Sequence, residues 1–202
     1  MCCRYFIDEE EPDFREVIAE MNHSPLISSW ERKDLIADHG EVRPGNVAPV
    51  IASNRRGEQS VFPMQWGYSG KTLLINARSE TAAEKPTFRR DWERHRCVVP
   101  ASWYYEWEHI RGKNGKVRSA GKYRIQPQSP GLAWLCGLYR MEEGLPHFVV
   151  LTREPGESIR FIHDRMPLIL PKDAADIWIR PDIKPKELLQ RALTDMEYRV
   201  AE

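Results

Sequence analysis

The sequence predicts an α+β fold, a predominantly antiparallel and barrel-like β-sheet with flanking helices. Short apolar runs recur at close intervals, residues that form turns separate them, and few helical patterns lie between them. The chain has 202 residues, which is long enough to bury a substantial core. We therefore predict a single domain over residues 1–202.

Helical spacing marks the first predicted element. Behind Pro12, apolar residues recur three and four positions apart, at Phe14, Val17, Ile18 and Met21. This pattern predicts an amphipathic helix of about three turns that ends at His23-Ser24-Pro25. Short apolar runs bounded by Gly, Pro and Asn then predict strands at 47–52, 60–66 and 73–76.

The remaining elements are mostly strands. Thr87 is expected to cap a helix that continues to His95, and a buried strand at 97–99 is expected to stop at Pro100. Further strands are predicted at 103–108, 123–126, 133–139 and 147–152, with a hairpin turn at Asn114-Gly115. Later helices are predicted to begin near Pro171 and Pro185.

Composition excludes several classes of protein. The 30 basic residues equal the 30 acidic residues, so the chain is not a simple polycation, although clustered Lys and Arg can still bind nucleic acid. There is no signal-peptide pattern and no apolar run of membrane-spanning length, so we expect a cytoplasmic protein without a membrane partner. The four cysteines lack the spacing of a zinc site, and we expect reduced thiols with no metal and no cofactor.

Cys2 directly follows Met1, and its small side chain favours removal of that methionine. Removal would leave an α-amine and a thiol on one residue. An α-amine is far less basic than a lysine amine, so at neutral pH it can condense with an aldehyde. The thiol can then add to the imine and close a five-membered thiazolidine ring. The alternative is a small buried cysteine with no reactive role.

Polar side chains beside predicted strand ends are further candidates. The amide of Asn76 can hydrogen-bond a reacting group, and the guanidinium of Arg78 can bind a phosphate through two donors. The alternative is a turn in which Asn76 bonds the local backbone. Glu106 shares one face of an aromatic strand with Tyr104. Burial there would raise the pKa of Glu106 toward neutrality, as a general acid or base needs, whereas an exposed edge-strand glutamate is the alternative.

Two more segments are candidates for ligand contact. His163 is suited to proton transfer and Arg165 to phosphate binding, with a structural His-Asp pair as the alternative. The segment from Arg43 to Pro49 is bounded by Pro and Gly, so its amides can approach a ligand closely. Trp66, before Gly67, offers either a stacking surface for bases or a core side chain.

In this order, these segments resemble the SOS response-associated peptidase (SRAP) family, whose members trap abasic sites in DNA. The resemblance covers nearly the whole chain. Its motifs are Met1-Cys2 with Arg4, Arg43 to Pro49, Trp66-Gly67, Ile75 to Arg78 with Glu80-Thr81, Arg96 to Pro100, Tyr105-Glu106-Trp107, Leu151-Thr152 and His163 to Pro167.

The resemblance implies a barrel-like α+β fold and a covalent thiazolidine crosslink between Cys2, after removal of Met1, and the ring-opened aldehyde of an abasic site in single-stranded DNA. It also implies AP lyase activity and a role in DNA repair. The catalytic residues that it implies are Cys2 for the amine and thiol, Asn76 for orientation, and Glu106 and His163 for acid/base steps. The DNA-binding residues that it implies are Arg4, Arg43, Gly45, Asn46, Trp66, Arg78, Thr152 and Arg165.

Three functions are therefore open: covalent abasic-site processing, a cysteine-dependent peptidase that uses Cys2, Glu106 and His163, and a non-covalent module for single-stranded DNA. We expect a monomer that associates with the nucleoid during DNA damage if the source is prokaryotic. Cys3 departs from the family, which usually has glycine there, and adds a second thiol beside Cys2. The stretch between Trp66 and Asn76 is also shorter than in many relatives.

Overall fold

The computed structural model describes residues 2–111 and 117–201, and the predicted Asn114-Gly115 turn lies outside them. In chain order its strands are β1 (Arg4–Ile7), β2 (Gly40–Val42), β3 (Val47–Ser53), β4 (Gln59–Trp66), β5 (Asn76–Arg78), β6 (Arg96–Ala101), β7 (Trp103–Arg111), β8 (Val117–Pro127), β9 (Ala133–Glu142), β10 (Leu145–Arg153), β11 (Met166–Pro167), β12 (Ile169–Leu170) and β13 (Met196–Val200). Its α-helices are α1 (Pro12–His23), α2 (Pro86–Arg94), α3 (Lys172–Trp178) and α4 (Pro185–Leu188). The predicted α+β class is confirmed.

Five strands close into a barrel in the order β4, β3, β6, β9 and β10, because β10 pairs with β9 on one side and with β4 on the other. The pairing of β4 with β10 is parallel, and the other pairings of the ring are antiparallel. The ring is tight at Gly137. A Cβ there would lie 2.8 Å from the carbonyl oxygen of Val149 and 2.9 Å from Sγ of Cys97, so only glycine fits without movement.

The second sheet is antiparallel, with strand order β13, β8, β7, β1 and β2. Strand β7 lies between β8 and β1, and Glu106 of β7 is opposite Tyr123 of β8. Tyr104, two residues before Glu106, is fully buried together with Tyr5 of β1. This face of the sheet therefore turns toward the core, as the alternation of the sequence predicts.

Buried hydrogen bonds fasten the helices to the barrel. Arg96, the first residue of β6, is buried, and its guanidinium donates to the carbonyl oxygens of Trp92, Glu93, Trp178 and Arg180. These carbonyls lie at the carboxyl ends of α2 and α3, where a helix leaves its last acceptors unpaired. One buried cation thus caps two helices, which explains why it tolerates burial.

The predicted strand at 73–76 is displaced in the structure. Leu74 forms only an isolated bridge with Tyr68, and the strand begins at Asn76, where β5 pairs in parallel with β10. Asn76 therefore starts a strand rather than ending one. The cause is tertiary, because pairing with β10 outweighs the local apolar run.

Two predicted boundaries are also wrong. Strand β6 continues through Pro100, which lies beyond the last residue of β6 that pairs with β3 and so has a sheet neighbour on one side only. A proline is tolerated at such an edge position. Helix α2 begins at Pro86, and Lys85 rather than Thr87 is its cap residue. Pro86 outcompetes the threonine because its fixed φ suits the first helical position.

Among the residues that the structure describes, no helix is both long and apolar enough to cross a membrane. The four cysteines are free thiols, and Cys2, Cys97 and Cys136 are buried.

Candidate active site

Cys2 lies just before β1, at the junction between the second sheet and the barrel. Its side chain is fully buried, and its carbonyl oxygen accepts a hydrogen bond from Nδ2 of Asn76 at 2.8 Å. Its Sγ lies 3.7 Å from the carbonyl oxygen of Arg4. Because Asn76 is the first residue of β5, the parallel pairing with β10 fixes the position of the amide. The predicted partnership between Asn76 and the amino-terminal segment is therefore present as a direct contact.

The electrostatic environment of Cys2 disfavours a thiolate. Burial raises the pKa of the Cys2 thiol far above its ordinary value, and the negative charge of Glu106 raises it further. Burial and Glu106 also raise the pKa of Cys3, which is half-buried. At neutral pH both sulfurs are thus protonated in the folded protein.

Glu106 is 3% exposed, and burial raises the pKa of its carboxyl group. Its Oε1 accepts a hydrogen bond from the backbone N–H of Trp107 at 3.3 Å. The predicted burial is confirmed, and so is the direction of its effect on the pKa. The edge-strand alternative is wrong, because β7 has a neighbouring strand on both sides.

His163 lies in the loop before β11, and its side chain is 11% exposed. Its Nδ1 is 2.8 Å from Oδ1 of Asp164 and 3.0 Å from the backbone nitrogen of Arg165. Burial first, and then nearby positive charges that include His109, lower the pKa of His163 to about 4. The imidazole is therefore neutral at physiological pH, which leaves it able to accept a proton.

His109 lies beside His163 and its charge also acts on Glu106, which the sequence did not predict. Its ring centre lies 4.8 Å from that of His163, and its charge lowers the pKa of Glu106 against the effect of burial. By simple alternation His109 would lie on the face opposite Glu106. The register between the two strands shifts here: the two steps from Trp107 to His109 on β7 oppose the three steps from Lys122 to Ser119 on β8, so the extra residue of the bulge lies on β8. A bulge leaves no clear signal in this sequence.

Arg165 and Thr152, two predicted phosphate-binding residues, are engaged within the protein. Nη1 and Nη2 of Arg165 each lie 2.8 Å from an oxygen of Glu80, and Nη2 also donates to the carbonyl oxygen of Thr152 at 2.7 Å. Thr152 is fully buried. These contacts hold the loop that carries His163, and phosphate binding by either residue stays a prediction. Arg78, by contrast, is exposed.

The predicted loop at Gly45 and Asn46 is bound to the end of β4. Gly45 has a positive φ of 89°, and Oδ1 of Asn46 accepts from the backbone N–H of Arg43 at 2.8 Å. The backbone N–H of Trp66 donates to the carbonyl oxygen of Asn46 at 2.8 Å. The side-chain oxygen of Asn46 therefore accepts a hydrogen bond from within the loop itself.

The structure corrects the prediction that Trp66 contacts the bases of single-stranded DNA. Its indole is fully buried, and Nε1 donates to the carbonyl oxygen of Ile75 at 2.9 Å. The centre of the indole ring lies 5.3 Å from the centre of the Tyr5 ring, beneath the segment that carries Cys2. Trp66 is thus a core side chain that supports the site from within.

Fold and site together define a barrel-like α+β protein with a buried cysteine near the amino terminus, a buried acid whose charge acts on the thiol, and a neutral imidazole. The family model described as SOS response associated peptidase (SRAP) matches residues 1–201, and this chain belongs to the SRAP family. It is 38% identical over 172 residues to the abasic site processing protein YoaM of Bacillus subtilis, covering 76% of this chain and 74% of the relative. It is 30% identical to the abasic site processing protein YedK of Escherichia coli, covering 93% of this chain and 83% of the relative.

Solved structures share the fold. A protein from Bacteroides thetaiotaomicron superposes with a TM-score of 0.70 at 20% identity, covering all of this chain and 92% of the other. A phage-related protein from Bordetella bronchiseptica gives the same score and identity, covering 99% of this chain and 93% of the other. At this identity the likeness concerns the fold alone.

Proposed function

We propose that this protein processes abasic sites in single-stranded DNA by forming a thiazolidine crosslink through Cys2 once Met1 is removed. The observation that carries the proposal is the double restraint on Cys2: Asn76 holds its carbonyl group, and Glu106 acts on its thiol. The names of relatives such as YoaM and YedK support the choice of abasic sites. No metal or cofactor is required by this chemistry.

The reaction begins at the amine. The α-amine of Cys2 attacks the aldehyde carbon of the ring-opened sugar, one amine proton moves to the resulting oxygen, and loss of one water leaves a protonated imine. We assign to Glu106, whose carboxyl group has a pKa raised by burial, the delivery of the proton that the departing oxygen needs. The Cys2 sulfur then bonds to the imine carbon, the thiol proton passes to the carboxylate of Glu106, and the nitrogen keeps its one remaining proton. The product is a thiazolidine ring, with every proton accounted for.

The protonated state of the Cys2 thiol favours this order of steps. A peptidase that used Cys2 would require a thiolate as the first nucleophile, and burial opposes that form. In the crosslinking reaction the amine attacks first, and the thiol is deprotonated only when the imine is in place. The carboxylate of Glu106, having given up its proton, then accepts the thiol proton and so returns to its starting state.

His163 supplies the second proton-transfer group. Because its pKa is lowered to about 4, the imidazole is a neutral base at physiological pH. We assign it to proton removal during opening of the sugar ring and during β-elimination in a lyase step. Arg4, Arg43 and Arg78 are proposed to contact the phosphates of the strand.

The test uses purified protein whose loss of Met1 has been checked by intact mass. Incubation with single-stranded DNA that contains one abasic site is expected to give an adduct that survives denaturation. Cys2→Ala keeps the α-amine and lacks the thiol, so it should give an adduct only when borohydride reduces the imine. Cys3→Ser is the matched control and should crosslink like the natural sequence.

Two outcomes would overturn the proposal. A denaturation-resistant adduct from Cys2→Ala without borohydride would exclude Cys2 as the source of the ring sulfur. Absence of any adduct from the natural sequence, with intact single strands still bound, would favour the non-covalent DNA-binding module. If Glu106→Ala retains Met1 while the natural sequence loses it, this result would favour self-cleavage by a peptidase.

A further inference from the structure

Glu41 of β2 lies at the centre of three cations on the second sheet. Its Oε1 accepts from Nη1 of Arg4 and from Nε of Arg43, the latter at 2.9 Å. Its Oε2 accepts from Nζ of Lys122 at 2.9 Å. The three cations come from β1, from the loop after β2 and from β8. We call these four residues the Glu41 cluster.

The Glu41 cluster carries a net positive charge, because three cations face one carboxylate. Burial alone would raise the pKa of Glu41, but hydrogen bonds from Lys122, Arg4 and Arg43 outweigh it and lower the pKa to about 2. The carboxylate is thus ionised at physiological pH. The side chains remain open to solvent, with exposures of 20% for Glu41, 26% for Lys122 and 32% for Arg4.

Aromatic rings hold two of the cations, Lys122 and Arg4, in place. Nζ of Lys122 lies 3.9 Å from the ring centre of Tyr105, and the guanidinium of Arg4 lies 5.6 Å from that of Trp107. Cations over aromatic faces are attracted by the ring electrons. The donors of the cluster are therefore positioned before any ligand arrives, which lowers the entropic cost of binding one.

The Glu41 cluster adjoins the reactive segment. Arg4 is two residues from Cys2, whose Sγ contacts the Arg4 carbonyl oxygen at 3.7 Å. After burial and Glu106, the charges of Arg4 and Glu41 also act on the pKa of Cys3. A strand with its abasic nucleotide at Cys2 would place a neighbouring phosphate within reach of these cations.

We propose that Arg4, Arg43 and Lys122 form one binding site for a backbone phosphate, and that Glu41 occupies this site as a competing carboxylate that restrains DNA affinity. Guanidinium and ammonium groups bind carboxylates and phosphates with the same donors, so the two anions exclude each other. Glu41 then sets how tightly undamaged strands are held. This inference rests on the proposed function for its ligand, single-stranded DNA.

The first test is Glu41→Gln, which keeps the size of the side chain and removes its charge. Affinity for an intact single strand is measured at several salt concentrations. At low salt it is expected to rise about fivefold, the effect of one unit charge about 4 Å away in water. The gain should shrink as salt increases. An unchanged or weaker affinity would overturn the competing role of Glu41.

The second test is Lys122→Gln with Lys172→Gln as its matched control. Lys172 of α3 also pairs with a carboxylate, Asp176, and also lies over an aromatic ring, 5.0 Å from the centre of Trp134. Lys122→Gln is expected to weaken binding and to reduce the salt slope by about 0.7, the value for one phosphate contact on a single strand. Lys172→Gln should change neither. Equal effects of the two variants would overturn the phosphate site.

These measurements separate the inference from the proposed function. The binding assays use a strand without an abasic site, so no covalent step enters them, while crosslinking is scored on abasic DNA. If the natural sequence forms no adduct but both binding effects appear, the proposed chemistry fails and the phosphate site stands. If adducts form but Glu41→Gln binds intact DNA no tighter, the competing role of Glu41 is wrong and the proposed crosslinking reaction stands. Circular dichroism of each variant confirms that it is folded before binding is scored.

Discussion

Replacement of His163 by glutamine should make the stability of the protein less sensitive to acid. In the native state the pKa of His163 is lowered from 6.5 to about 4, with burial as the first cause. Between these two values the unfolded chain binds a proton that the folded protein refuses. The contribution of His163 is therefore fully present above pH 6.5 and is lost as the pH falls toward 4.

The size of the effect follows from the two pKa values. At about pH 5 the unfolded imidazole is almost fully protonated and the folded one is mostly neutral, which costs about 2 kcal/mol of unfolding free energy. The charges around the imidazole act in both directions: Asp164 raises its pKa, whereas His109 and Arg165 lower it. Glutamine does not titrate, so this pH-dependent loss disappears in His163→Gln.

Urea unfolding at about pH 7.5 and about pH 5 measures the difference. The natural sequence should lose about 2 kcal/mol more than His163→Gln between the two conditions, with equal urea slopes. All other titrations are common to both proteins and cancel. Equal losses in the two proteins would refute the neutral state of His163 on which its role as a base depends.

Three other predictions concern the site and the barrel. Asn76→Ala removes the hydrogen bond to Cys2 and should lower the free energy of unfolding, measured in urea, by about 1 kcal/mol. It should also slow adduct formation, and a crosslinking rate equal to that of the natural sequence would contradict a positioning role for Asn76. Gly137→Ala places a Cβ against the carbonyl oxygen of Val149 and should lower the unfolding free energy by about 1–3 kcal/mol; an unchanged midpoint would show that the barrel can yield there. Because the pKa of Glu106 is raised, the crosslinking rate of the natural sequence should change with pH above the ordinary carboxyl range. Glu106→Gln should abolish this change, and its persistence would assign it to another group.

Local pattern predicted much of the fold and the central part of the site. The spacing of Phe14 and Met21 gave α1 with its buried face, and period-two alternation placed Glu106 beside Tyr104 on a buried face. Local pattern failed where a distant segment decided the outcome. Asn76 begins β5 because β10 pairs with it, and Trp66 is buried because Tyr5 and the barrel cover it.

By itself, the sequence determined the α+β class and the residues of the family motifs, and it predicted the amine and thiol of Cys2 as a reactive pair. Those properties depend on residue identity and on short spacings along the chain. Only the tertiary structure decided that β10 closes the barrel, that His109 lies beside His163, and that Glu41 holds three cations. Burial and electrostatic interaction depend on distance in space, and the groups concerned are far apart in sequence, so no local pattern encodes them.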